Sequence, residues 1–195
     1  YLADLEIIFL ANDILKSLIP KSKFILNLNC LGKRDNLKKF KSQLSKYFEN
    51  KKNQLSSESK GKILSNPLRI LDSKHEEDIL VSKDSPKIQE YLSNEEKIRF
   101  NEIKKGLDYY KVDYLENPNL VRGLDYYCST VFEFKTSEIG SQDTILGGGR
   151  YDGLIKTLGG PDIPGIGWAA GVERISMLMD AEINNKRPIH IAIND

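Results

Sequence analysis

The sequence predicts an α+β fold in which strands at both ends of the chain flank a long helical stretch, and three observations predict it. Residues 23–29 (KFILNLN) alternate Phe24, Leu26 and Leu28 with Ile25, Asn27 and Asn29, the period of a strand with one apolar and one partly polar face. From about residue 34 to 114 the apolar residues recur instead at spacings of three and four, the period of helices packed on one side. Residues 119–136 (NLVRGLDYYCSTVFEFKT) return to Val, Thr, Tyr and Phe without a helical stripe, which reads as strand.

Taken in order, residues 3–18 place Leu5, Ile7, Ile8, Leu15 and Leu18 at helical spacing, and Pro20 turns the chain. Gly32 closes the first strand. A helix over 35–55 follows from Leu37, Phe40, Leu44, Tyr47 and Phe48, with Asp35 placed to cap it. NPLRILDSK (66–74) is a short apolar piece between turn formers. Ser85-Pro86 offers an N-cap followed by proline in the first helical position, predicting a short helix to Leu92. Ser93 and Glu96 match a capping box, and Phe100, Ile103, Leu107 and Tyr110 continue from it as a stripe. The pentapeptide GLDYY lies in that stripe, with Gly106 as a residue the helix tolerates, and recurs at 123–127, where it reads as strand.

Composition narrows the function. With 39% hydrophobic and 29% charged residues the chain has the balance of a globular protein. No apolar run approaches the roughly 18 residues of a membrane span, so a membrane role is not expected. Cys30 and Cys128 do not form a disulfide framework or sit at zinc-ligand spacing, and both read as reduced thiols in a reducing compartment. No secretory signal opens the sequence, and Tyr1 in place of Met predicts a fragment. The formal charge of +1 conceals a basic block, since Lys21 to Lys62 holds twelve Lys or Arg against three Asp or Glu. A polyanion partner and a solvated lysine face both fit such a block.

Three clusters carry chemistry. Arg122 precedes Gly123 and stands beside Asp125, Tyr126 and Tyr127. A guanidinium offers a fixed fork of donors for carboxylate or phosphate, and phenols donate, accept and shape a pocket. An Arg-Asp ion pair at a strand end is the plainer reading. In a regular strand Arg122 and Tyr127 would point to opposite faces, so Gly123 is expected to break the strand and turn the arginine inward. GGGRYDGL (147–154) permits close backbone approach or a tight turn, and has neither phosphate-loop nor dinucleotide spacing. GGPDIPGIGWAAGVERI (159–175) runs from loop through a small-residue strand into a helix with Arg174 in its first turn. A cation there is disfavoured by the helix dipole unless an anion joins it, which hints at a phosphate.

LVRGLDYY with STVFEF, then GGGRYDGL, then GIGWAAGVERI, in that order, resemble the two histidine-specific motifs and the third class II motif of the histidyl-tRNA synthetase family. NPLRILDSK and its neighbouring helices resemble that family's insertion domain, so the likeness covers essentially the whole chain. The resemblance implies a partial class II antiparallel sheet with flanking helices, interrupted by a mostly helical insertion domain. It divides the chain into a first catalytic segment at 1–33, an insertion domain at 34–114, a second catalytic segment at 115–185, and the start of a truncated anticodon-binding domain at 186–195. It implies ATP-dependent activation of histidine to histidyl-adenylate and transfer to tRNA(His), with Mg2+ accompanying ATP, no tightly bound cofactor, no nameable metal ligand, and a cytoplasmic homodimer.

Carried over residue by residue, the resemblance implies that Arg122 is the catalytic arginine on the histidine carboxylate and the α-phosphate. Tyr127 would hydrogen-bond the imidazole, while Tyr126, Gly149 and Tyr151 complete its pocket. Arg174 would clamp the γ-phosphate, and Lys38, Lys39, Lys41, Lys46, Lys51 and Lys52 would meet tRNA phosphates. The first and second class II motifs have no counterpart here, so the chain alone is expected to be inactive. Cys128 and Trp168-Ala169-Ala170 sit at variable-looking positions. The rival readings are a synthetase-like regulatory or sensor module that charges no tRNA, and a tRNA-binding fragment without chemistry.

Overall fold

The computed structural model describes residues 1–140 and 143–179. The chain runs α1 (Leu2–Leu18), β1 (Ile25–Cys30), α2 (Arg34–Asn50), α3 (Ser57–Lys60), α4 (Leu68–Leu71), α5 (Glu76–Lys83), α6 (Asn94–Tyr109), β2 (Tyr114–Glu116), β3 (Cys128–Lys135), β4 (Thr144–Arg150), α7 (Leu154–Thr157), β5 (Ile166–Ala170) and α8 (Val172–Leu178). The expected stretch at 186–195 lies outside the described residues, as does the end of 115–185.

Among the described residues five strands form one sheet in the order β2-β1-β3-β4-β5, antiparallel throughout except for the short parallel pair of β1 and β2. An α+β fold with an antiparallel sheet and flanking helices is therefore what the chain adopts. Cross-strand partners share a face, so the register separates the two sides of the sheet. Leu28, Phe132, Gly148 and Trp168 stand on one side, and Asn27, Glu133 and Gly147 on the other. The alternation read in residues 23–29 thus becomes a core face and a site face. The core face meets α1 and α6, whose buried residues Leu5, Ile8, Ala11 and Leu15 face Phe100, Ile103 and Leu107 in one apolar cluster.

That cluster also takes in Leu37, Phe40, Leu44 and Phe48 of α2 and the buried residues of the shorter helices, so sheet and helical block share one core. Inside the block, Asp78 is fully buried and accepts hydrogen bonds from the Ser56 amide and hydroxyl, the Ser59 hydroxyl and the Ser73 hydroxyl at 2.6–2.8 Å. Burial alone would raise its pKa, but these donors outweigh it and hold the carboxyl down to about 2. Asp78→Ala removes one side of four hydrogen bonds in a dry site, and is expected to destabilise the protein by about 3 kcal/mol in urea unfolding.

Several local expectations change. The helix start at α2 is capped by neither Asp35, which lies in its first turn, nor the Lys33 side chain. Glu96 does that work from α6: its carboxylate accepts from the Lys33 amide and from Asn36 Nδ2 (2.6 Å) while completing the predicted capping box with Ser93. One buried carboxylate thereby serves two helix starts. Ser85-Pro86 does not open an α-helix; only a 3₁₀ turn at Ile88–Glu90 forms, and Ser85 instead donates to the Ser82 carbonyl.

The two GLDYY copies differ more than expected. In the first, Leu107 is buried but Tyr110 is largely exposed, laid against Phe9 at the edge of the core. Gly106 is more than tolerated, because a Cβ there would overlap the Leu5 side chain where α1 crosses α6. Gly106→Ala is therefore expected to lower stability by about 1 kcal/mol despite the better helix propensity of alanine, read as a Tm drop of about 2–4 °C. The second copy is not strand. Residues 123–126 form a bend and a turn, and β3 begins only at Cys128. Its first residues bulge against β4, with Ser129 at φ 50 and its amide and carbonyl held by Gly32 and Leu31 at 2.7 Å.

Candidate active site

The turn at 122–127 crosses the site face of the sheet, and because it is not a strand the parity objection to Arg122 and Tyr127 falls away. The Arg122 guanidinium carbon lies 5.8 Å from the centroid of the Tyr127 ring. Tyr126 and Tyr127 have ring centroids 4.6 Å apart, and Tyr151 stands edge-on to both at 6.1 and 6.5 Å. Four of the residues singled out in the sequence are thus neighbours, one cation beside three phenols.

The triple glycine forms the floor beneath them. It is the middle of β4 rather than a turn. A Cβ on Gly147 would come within 2.6 Å of Arg122 Nη1, and one on Gly149 within 3.0 Å of the Tyr127 ring. Gly148 faces the other way, where a Cβ would meet Trp168 at 2.6 Å. Bare backbone at 147 and 149 lets the guanidinium and the phenol lie flat on the strand. Tyr151 is fixed similarly. Its amide donates to the Gly165 carbonyl at 2.8 Å, and Gly165 and Gly167 leave its ring room on β5.

Glu133, which the sequence reading does not single out, organises the cations. From the centre of β3 its carboxylate takes Arg122 Nη1, the Thr144 hydroxyl at 3.1 Å and Lys135 Nζ at 3.5 Å. The only signal for it was an acid within the apolar strand VFEF. Arg122 Nε is buried and has no hydrogen-bond partner among the described residues, so this guanidinium is gripped at one end with donor capacity left over. Arg174, in the first turn of α8, donates Nη1 to the Thr144 carbonyl. Glu133 and Thr144 therefore link Arg122 and Arg174 along one edge of the site.

The phenol is tuned as well as placed. Burial, then the adjacent Tyr126, pushes Tyr127 up to about 12 against the lowering effect of Arg122. It stays protonated at neutral pH and is a hydrogen-bond donor.

Behind the site, Arg150 is buried against Asp4 of α1 at 2.6 and 3.2 Å, and also reaches Asp152 at 3.2 Å. Asp152 in turn accepts from the Gly165 amide at 3.1 Å. This network locks the residues on either side of Tyr151. Arg99 of α6 completes it with a 2.9 Å bond to Asp4.

The basic block divides into two parts. Lys38 and Lys41, with Arg34, line a cleft of about 470 Å³ whose far wall includes Leu124, Asp125, Tyr126 and Tyr127, and Lys41 pairs with Asp125 at 3.1 Å. Lys39 and Lys46 are exposed on the outer side of α2, Lys51 is half-buried at its end, and Lys52 pairs with Glu49 at 2.9 Å. The six lysines therefore do not form one face. Among the described residues no group of three or more His, Cys, Asp or Glu could hold a metal, and no helix is long and apolar enough to cross a membrane. Cys30 and Cys128 are buried free thiols, and burial raises both, Cys30 to about 11.

Comparison with known proteins gives one consistent answer. A family model described as histidyl-tRNA synthetase matches residues 1–175. The histidine--tRNA ligase of Anaplasma marginale (strain Florida) is 47% identical over 176 residues, 90% of this chain and 41% of that protein. The crystal structure of apo histidyl-tRNA synthetase from S. aureus superposes with a TM-score of 0.68 at 31% identity, over 90% of this chain and 43% of its own. A Bacillus halodurans C structure described as an ATP phosphoribosyltransferase regulatory subunit/histidyl-tRNA synthetase shares the fold at a TM-score of 0.54 and 17% identity, covering 92% of this chain and 50% of its own. The chain spans less than half the length of the curated relatives it matches.

Proposed function

Because the chain belongs to the histidyl-tRNA synthetase family, we propose that it is the histidine-binding part of a cytoplasmic, homodimeric histidine--tRNA ligase. In this reading the histidine carboxylate attacks the α-phosphorus of ATP, pyrophosphate leaves, and the histidyl group then passes from the adenylate to the 3′ end of tRNA(His), releasing AMP. The observation that carries it is the approach of the Arg122 guanidinium to the Tyr127 phenol, 5.8 Å from its ring centroid.

Arg122 holds the carboxylate and stabilises the negative charge that grows on the α-phosphate, which is electrostatic rather than acid-base catalysis. Glu133 fixes one end of the fork, so the remaining donors are aimed before substrate arrives. Tyr127, neutral at pH 7, donates to an imidazole nitrogen. Tyr126, Tyr151 and the bare backbone at Gly149 shape the slot around the ring. A side chain lacking ring nitrogens would offer that half-buried phenol no acceptor, which is how the site rejects apolar amino acids of similar size. Arg174 extends the cationic edge toward the γ-phosphate, and magnesium arrives with ATP as part of the substrate.

The test is histidine-dependent ATP–pyrophosphate exchange by the full-length polypeptide that contains this chain. Exchange that requires histidine supports the ligase; histidine binding without exchange would favour a regulatory or sensor module instead. For the tRNA, we propose that Lys38, Lys39 and Lys46, exposed on α2 and outside the ion pairs that engage Lys41 and Lys52, meet acceptor-arm phosphates. Replacing Lys38, Lys39 and Lys46 with alanine is expected to flatten the log-affinity against log-salt slope for tRNA(His) by about 0.7–0.9 for each phosphate no longer neutralised. An unchanged slope removes these lysines from the interface.

A further inference from the structure

Arg122 works only if its backbone is held, and residues 117–127 have no regular secondary structure apart from turns. Two side chains hold it, one on either side. Asn29 of β1, fully buried, donates Nδ2 to the carbonyls of Pro118 (3.2 Å) and Leu120 (2.9 Å). Its own Oδ1 accepts from the Cys30 amide at 2.8 Å and from Gln89 Nε2 at 3.2 Å, which fixes the orientation of the amide. On the other side, Arg69 of α4 donates Nη2 to the Gly123 carbonyl at 2.9 Å. The anchored carbonyls at 120 and 123 bracket residue 122.

Gly123 points the same way. Its φ is not in the left-handed region, so its backbone does not itself demand glycine. What a side chain would displace is the end of Arg69, since a Cβ at 123 would lie 2.5 Å from Nη2 and 3.0 Å from Cζ. The guanidinium lies flat on a glycine, as Arg122 does on Gly147. Arg69 and Gln89 both belong to the helical block, whereas Asn29 and the turn belong to the sheet. At the C-cap of α4, three residues on from Arg69, Asp72 lies in the field of Glu133, Lys135, Arg69 and Arg122, so this corner of the block faces the proposed catalytic charges.

We propose that Arg69 is a positioning residue for Arg122, and that Gly123 is glycine in order to admit it. The helical block thereby contributes to amino-acid activation through the main chain at 123, without touching the substrate. The inference rests on the ligase reading for its kinetic readout only.

The test is a double-mutant cycle on Arg69→Ala and Gly123→Ala in the full-length protein, followed by pyrophosphate exchange and by hydrogen-deuterium exchange of residues 117–127. Arg69→Ala is expected to lower kcat by about 10- to 100-fold with KM for ATP nearly unchanged, and to speed amide exchange in the turn while Tm holds. Gly123→Ala is expected to reproduce it by evicting the guanidinium, and the double variant to be no worse than either single one. Arg69→Lys should recover part of the rate. Additive losses, or a turn whose exchange is unchanged in Arg69→Ala, would overturn the proposal. A wild-type protein without histidine-dependent exchange would instead defeat the ligase reading, and the amide-exchange arm would still decide whether Arg69 holds the turn.

Discussion

Arg122→Ala is expected to slow histidine-dependent pyrophosphate exchange by about 100- to 1,000-fold, the usual consequence of removing one preorganised donor from a developing oxyanion. In the proposed role the guanidinium acts most strongly on charge that is absent from the ground state, so the loss is expected to fall mainly on kcat. Arg122→Lys should recover little, since an ammonium cannot bind Glu133 and a substrate oxygen together as a planar fork can. Glu133→Gln gives a sharper reading. It keeps the shape of the strand but weakens the grip on Nη1, so a rate between those of wild type and Arg122→Ala is expected. Exchange retained at the wild-type rate in Arg122→Ala would contradict the role given to this residue.

Asp4→Ala is expected to have the largest effect on stability, about 3–5 kcal/mol in urea unfolding, because it strands the buried Arg150 with only Asp152 and also releases Arg99. The pH dependence follows from direction. Burial raises the pKa of Asp4, but hydrogen bonds from Arg150 and Thr130 and the charges of Arg150 and Arg99 more than offset it, and the folded value lies below the unfolded one. Its stabilisation is therefore present above the ordinary carboxylate value of 3.8 and is lost as pH falls through the lower folded value. Asp78 behaves alike over the window from 3.8 to about 2, where roughly 2 kcal/mol is at stake. Urea midpoints measured from pH 7 to pH 2 should decline most steeply in that window, and Asp78→Asn should flatten the decline. A wild-type profile that is level below pH 4 would show that neither carboxylate is held as described.

The architecture was largely legible because periodicity survives folding. Leu26 and Leu28 against Asn27 and Asn29 announced a two-faced strand, and the Ser93-Glu96 pair announced the start of α6 correctly. The failures share a cause, which is that the deciding partner lay far away in sequence. Asp35 had the right chemistry for a cap, but Glu96 already satisfies the amide of Lys33 from 63 residues away. Gly106 looked incidental until Leu5 arrived from a neighbouring helix. The cluster around Arg122 was visible as an unusual run of polar residues at the mouth of an apolar stretch. Glu133 and Arg69, which hold that cluster in place, each looked ordinary in their own surroundings.

The three glycines of β4 leave the floor of the pocket one main chain thick, with Trp168 packed directly beneath Gly148. Such a floor has no side chain to lengthen, shorten or recolour. Under the proposed function, depth is set by main chain alone, and a change of substrate preference is expected to come through the walls: Tyr126, Tyr127 and Tyr151. Directed evolution of ring selectivity should therefore accumulate its successes at those three positions and leave 147–149 untouched.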